Sequence, residues 1–204
     1  MLVIKPSFTI ESVVDGDELL NRLEKYGRVC YKSEDKITPE SARKFIAGIL
    51  KNGHESVIEH ETITVRIICD RGVSHEIVRH RIGSYSQEST RYVNYQSKGV
   101  QFIEPLFFTT SSLKYNAWFW AMEDAERHYL SLLAAGATPQ EARSVLPNSL
   151  KTEIVITYNL REWRHFFRLR CSPKAHPQMR EITIPLLKEF QRLIPIIFDG
   201  LIFE

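Results

Sequence analysis

Two short runs rich in β-branched residues, 62–68 and 152–158, stand far apart in the chain, and most of what separates them has helical spacing. In the first, Ile63, Val65 and Ile67 alternate onto one face, the two-residue period of a half-buried strand. The second is bounded by Asn159 and reads the same way. A doubly wound sheet needs strands and helices in regular alternation, and that rhythm is absent. The expected class is therefore α+β, a mixed or antiparallel sheet packed with long helices. Residues 8–14 and 100–104 are weaker strand candidates.

Helix signals fill the rest. Thr38-Pro39-Glu40 reads as an N-cap followed by Pro at the first helical position, and Ala42, Phe45, Ile46, Ile49 and Leu50 carry an apolar stripe to Asn52-Gly53. Thr138-Pro139-Gln140-Glu141 has the form of a capping box and can run only to Pro147. Residues 113–135 read as a long helix with Ala117, Ala121, Ala125, His128, Tyr129 and Leu132 on one face. Residues 17–31 and 179–198 also read as helical, with Pro185 expected to kink or delay the second. A chain of 204 residues, 43% hydrophobic and 11% aromatic, can bury a core without disulfides. No repeat or linker divides it, so a single domain over 1–204 is expected.

Charge narrows the function. Lys and Arg number 27 against 25 Asp and Glu, a net of +2, yet residues 161–180 hold six basic residues and one acid, a net of +5 that leaves −3 on the rest. Such a cluster suits an anionic small molecule better than nucleic acid, whose binding surfaces carry a broad basic excess. The most apolar stretch, 193–203, is interrupted by Pro195, Asp199 and Gly200 and is shorter than the ~20 residues that span a bilayer. Residues 1–6 show no secretory pattern, and Cys30, Cys69 and Cys171 form no CxxC pair. A soluble, cytoplasmic protein without a metal site or a nucleic-acid or membrane partner is expected.

Three clusters can carry chemistry. Residues 79–91 hold Arg79, His80, Arg81 and Arg91 interleaved with Ser84, Ser86, Ser89 and Thr90. Guanidinium forks and hydroxyls together make a phosphate-binding set, and if 73–80 is a short helix the arginines sit at its end. A second cluster, Gly53-His54-Glu55-Ser56 with Glu59-His60, resembles a zinc-protease helix only superficially, because position 58 is Ile where the second His is required. The third spans 159–170. On a helix, Arg161, His165 and Arg168 share one face while Trp163, Phe166, Phe167 and Arg170 lie mostly on the other. Arg170 then needs an anionic or carbonyl partner on an apolar side. No GxGxxG, GxxxxGK[ST] or GxSxG motif is present, which leaves no Rossmann site, P-loop or nucleophile elbow.

Arg79-His80-Arg81, seven residues and then Ser89 resemble the signature of the flavin-dependent thymidylate synthases. Gly53-His54-Glu55-Ser56, Ala142-Arg143-Ser144-Val145-Leu146-Pro147, Asn159-Leu160-Arg161 leading to Leu169-Arg170, and His176-Pro177-Gln178-Met179 are similar to that family in the same order. The resemblance implies reductive methylation of dUMP to dTMP, with 5,10-methylenetetrahydrofolate as carbon donor, FAD as cofactor and NADPH as reductant. It further implies a homotetramer with active sites where subunits meet. Arg79, Ser89, Arg91 and Arg143 then resemble the groups that hold the nucleotide phosphate, with Gln87, Glu88 and Thr90 beside them and Glu76 at a nucleotide contact. Ser56, Arg79, His80, Arg81, Gln87, Asn159, Arg161 and His165 resemble flavin contacts. Arg170 matches the arginine that meets the uracil ring and favours its ionisation at N3. Hydride chemistry of this kind needs no protein nucleophile, so none of the three cysteines is given a role.

Overall fold

The computed structural model describes residues 1–203. Strands β1 (Leu2–Ile4), β2 (Ser7–Ile10), β3 (Thr62–Asp70), β4 (Ser84–Gln87), β5 (Gln101–Ile103) and β6 (Lys151–Asn159) are interspersed with helices α1 (Gly16–Val29), α2 (Ser41–Lys51), α3 (Arg71–Ile77), α4 (Leu113–Ala134), α5 (Pro139–Ala142), α6 (Leu160–Arg170), α7 (Pro177–Leu193) and α8 (Pro195–Phe198). The class is α+β, as expected. Four strands are hydrogen-bonded in the order β2-β3-β6-β4, and β1 pairs in parallel with β5. β3 and β6 run antiparallel: the Leu160 N–H bonds the Glu61 carbonyl past one end, and the Arg71 N–H meets the Asn148 and Leu150 carbonyls past the other.

Several sequence expectations shift. α2 begins at Ser41, because Ser41 closes a turn on Thr38: its N–H bonds the Thr38 carbonyl and its hydroxyl accepts the Thr38 N–H. Gly53, at φ 73°, ends that helix as expected, in the left-handed conformation that glycine adopts without strain. α4 buries Met122 and Tyr129, while Ala117, Ala121 and His128 are exposed. The helical stretch at the carboxyl end begins at Pro177, contains Pro185 within α7, and breaks at Ile194. Ile194 has the extended φ of −140° that a residue preceding proline favours.

The chain divides into two compact units, to both of which β2, β3, β4 and β6 contribute residues. The first comprises Met1–Phe8, Arg66–Arg79 and Tyr85–Val155. Its core gathers Tyr95, Val100, Phe102, Met122, Tyr129, Ala142 and Leu150. The second comprises Thr9–Val65, His80–Ser84 and Ile156–Glu204. There Trp163, Phe166, Phe167, Phe190 and Phe198 interlock, with centroids 5.0 Å apart for Trp163–Phe190 and 5.1 Å for Phe190–Phe198, spacings at which aromatic edges and faces attract. The Trp163 indole N–H donates to the Ile63 carbonyl at 3.0 Å, which ties α6 to the start of β3. Gly83 is required by close approach: a Cβ there would stand 2.3 Å from the Tyr158 ring.

Candidate functional site

Within the first unit, the residues after β4 form a polar wall. The Gln87 amide donates to the Ser74 and Thr152 hydroxyls at 2.9 and 3.2 Å. Glu88 turns inward, where its carboxylate accepts from the Tyr95 hydroxyl and from Lys151 Nζ, each at 2.7 Å. Burial, with the Glu88 bond adding to it, pushes the Tyr95 phenol well above its ordinary range, so it remains a neutral donor. Gln87, Glu88, Tyr95 and Lys151 line one side of a cavity of about 620 Å³ that also meets Arg66 and Glu153.

Beside that wall the chain turns back through residues 89–92. The Ser89 hydroxyl accepts the Arg91 N–H, the buried Thr90 hydroxyl accepts from Arg143 at 3.1 Å, and the Arg91 guanidinium lies over the Tyr92 ring. Arg79, Arg91 and Arg143 are exposed, and Glu76 is half-buried on α3. Seven of the expected nucleotide-site residues, together with Arg79, therefore belong to this unit.

Ser56, His80, Arg81, Asn159, Arg161, His165 and Arg170 belong to the second. Asn159 caps α6 by accepting the Glu162 N–H at 2.8 Å. Arg161, His165 and Arg168 are exposed on that helix, as the periodicity requires. Facing them, Glu55 opens the 3-10 turn Glu55–His60 and accepts from Arg164 and Arg168, each at 3.1 Å. Partial burial works against its charge, but the two guanidiniums outweigh that and hold the Glu55 carboxyl below its usual range. Arg161 bonds Glu59 at 2.5 Å. Ser56 and Arg81 are exposed.

Beside His165, where α6 turns towards the core, lies a buried chain of polar groups. His80 is 5% exposed and Glu162 7%. His80 Nδ1 is 2.8 Å from a Glu162 oxygen, and Arg170 Nε donates to His80 Nε2 at 3.0 Å. Burial lowers the His80 pKa, the Glu162 bond opposes that, and the Arg170 charge lowers it further. Around neutrality the imidazole is thus neutral, with its proton on Nδ1. The partner that Arg170 requires is therefore an imidazole nitrogen, in addition to any carboxylate or carbonyl. His80, Glu162 and His165 have donor atoms within 4.8 Å of one another. Both ring nitrogens of His80 are engaged, however, and a cation there would face Arg170, so His80 and Glu162 read as part of a hydrogen-bond chain with Arg170 and not as a metal centre.

Sequence reasoning gave no role to Tyr95, Lys151 or Glu162, and it named Glu55 only within the Gly53-His54-Glu55-Ser56 block. Glu162 carried a signal of its own: it stands three residues beyond an Asn cap, the spacing of a capping-box acid. Cys69 and Cys171 are buried, whereas Cys30 is exposed. Burial raises both Cys69 and Cys171, the latter to about 11.

The profile of the thymidylate synthase complementing protein family matches residues 13–196. A flavin-dependent thymidylate synthase of Geobacter sulfurreducens is 35% identical over 178 residues, covering 84% of this chain and 77% of that protein. One from Pyrococcus abyssi is 37% identical over 172 residues, covering 81% and 70%. A third, from Mycobacterium sp. (strain JLS), is 34% identical over 226 residues, covering 97% and 87%. No helix among the described residues is long and apolar enough to cross a membrane.

Proposed function

The chain belongs to the flavin-dependent thymidylate synthase family, and on that footing we propose that it methylates dUMP reductively to dTMP. The carbon comes from 5,10-methylenetetrahydrofolate and the reducing equivalents from NADPH. FAD, when bound, supplies the hydride that completes the methyl group.

The donor set of the second unit suits that cofactor. A dinucleotide brings two phosphates and hydroxyl-rich sugars, which call for exposed cations and small polar donors. Arg161 and His165 on α6, Ser56 on the adjoining turn, the Asn159 cap and Arg81 are of that kind, and Arg79, His80 and Gln87 complete the set carried over from the family. For the nucleotide, Arg79, Arg91 and Arg143 offer exposed guanidinium forks and Ser89 a hydroxyl, a combination matched to a doubly charged phosphate monoester. Thr90 steadies Arg143 through their hydrogen bond. Glu88 is held by Tyr95 and Lys151, so its part is played by its backbone and by the shape it gives the wall. Gln87 and Glu76 border the same nucleotide.

Arg170 does the electrostatic work. A guanidinium whose Nε is fixed to a buried imidazole cannot relax as water does, so it stabilises negative charge on the pyrimidine ring and favours ionisation at N3. That fixed, half-buried cation is the observation that carries the reading. The active unit is a homotetramer of single-domain chains in the cytoplasm, with sites completed where subunits meet and with small molecules, not nucleic acid, as partners.

The visible spectrum of the purified protein tests the redox half of this reading. Flavin bands that bleach on adding NADPH are expected. Their absence after reconstitution with FAD overturns it.

A further inference from the structure

We propose that Glu162 and His80 are positioning residues for Arg170, acting as a two-step hydrogen-bond relay that sets where its guanidinium points. The proposal rests on the reading of Arg170 given above, but the geometry behind it is independent of that reading. Glu162, His80 and Arg170 are joined in line, 2.8 Å from carboxylate to Nδ1 and 3.0 Å from Nε to Nε2. The first two side chains are nearly out of reach of solvent. A histidine so buried cannot lie against a ligand over much of its surface, whereas it touches Arg170 directly.

Each link depends on the one before. An arginine near a helix end has many rotamers, and the bond from Nε to His80 selects among them. His80 can receive that N–H only with a bare Nε2, so its proton must sit on Nδ1. The Glu162 carboxylate accepts from Nδ1 and thereby selects this tautomer, as carboxylates do for catalytic and metal-bound histidines. Glu162 is itself directed there. From its place in the first turn of α6 it could reach back to the cap, yet its carboxylate is turned to the imidazole. The remainder of the His80 surroundings is fixed by packing: Phe166 at 5.0 Å, His165 at 5.5 Å and Tyr158 at 6.1 Å between ring centroids. The Thr183 hydroxyl donates to the Arg170 carbonyl at 2.9 Å, so the backbone at the end of α6 is also held.

Protonation of His80 breaks the relay, because an Nε2–H would then oppose the Arg170 N–H and place two cations side by side. Glu162, Arg170, His165 and Tyr158 face His80 within this unit. Of these, Glu162 favours the protonated ring and Arg170 and His165 oppose it, with burial siding against protonation.

The test uses FAD-loaded protein and variants at His80 and Glu162, scored per bound flavin. His80→Phe should lower kcat per bound flavin for dUMP by about 10- to 100-fold, the usual effect of losing an orienting partner, with a much smaller change in KM. His80→Gln, whose amide carries both a donor and an acceptor, should recover most of that loss. Wild-type turnover should show an acid limb as pH falls below the ordinary histidine range, and His80→Gln should lack it. Glu162→Gln, which permits the wrong tautomer, should fall between them. Normal kcat per flavin in His80→Phe and in Glu162→Gln overturns the relay. So does an acid limb that persists unchanged in His80→Gln. A readout independent of turnover separates this claim from the reaction assigned to the enzyme: 15N spectra of histidine-labelled protein should show Nδ1 protonated and Nε2 bare at neutral pH. A proton on Nε2 overturns the relay, whereas a wild-type protein inert towards dUMP with the expected tautomer overturns the assigned reaction instead.

Discussion

Arg170 is the residue on which the chemistry turns. Replacing it by Ala should remove most turnover while the far-ultraviolet dichroism of the protein is unchanged, because its side chain is not part of the aromatic core of α6. Arg170→Lys should rescue little, since an ammonium has no planar fork and no Nε–H for His80. Full activity in either variant would remove Arg170 from the mechanism. Cys171, one position along, makes the contrast. Its thiol is buried and pushed up to about 11, so almost none of it is thiolate at neutral pH. Cys171→Ala should keep normal kcat, measured by dTMP formation.

At the scale of elements, α6 joins core and site. Its buried side packs Trp163, Phe166 and Phe167, and its exposed side carries Arg161, His165 and Arg168. The Asn159 cap fixes where the helix begins, so Asn159→Ala should lower the stability of the flavin-free protein by about 1 kcal/mol in chemical denaturation and weaken flavin retention. Glu55 ties the neighbouring turn to the same helix. Its folded pKa lies below the ordinary 4.5, so the stability it adds is present above that value and is lost as pH falls through the folded pKa. Glu55→Gln should therefore flatten the acid side of the stability profile, and an unchanged profile would show that the ion pairs add nothing. The elements most legible in the sequence were those in which one period dominates. β6 alternates buried and half-buried residues along its length and β3 does so from Ile63 to Cys69, and α6 buries its aromatic residues while Arg161, His165 and Arg168 stay exposed. α4 was legible as a helix but not in its orientation. Apolar side chains ring it, with Leu113 and Trp120 exposed, so periodicity alone did not choose the Met122–Tyr129 side. β1 and β4 are too short, and β4 too polar, to show a period at all.

For the whole molecule, the near-neutral total of +2 conceals a division of labour. The basic cluster read from charge, 161–180, lies wholly in the second compact unit, while Arg79, Arg91 and Arg143 belong to the first. What composition could not reveal was which acids answer them, since Glu55 and Glu162 are distant in sequence from Arg168 and His80 respectively. Such pairs are made by tertiary packing and leave no local pattern. The proposed tetramer belongs to this scale too: light scattering of the flavin-loaded protein should give four chain masses, and an active monomer would contradict sites shared between subunits. The central claim is tested most directly by supplying the FAD-loaded protein with NADPH, 5,10-methylenetetrahydrofolate and dUMP tritiated at C5. Replacement of that hydrogen by a methyl group predicts tritium in water equal in amount to dTMP formed, and dependent on all three additions. A flavin-loaded protein that releases no tritium and forms no dTMP would contradict the account.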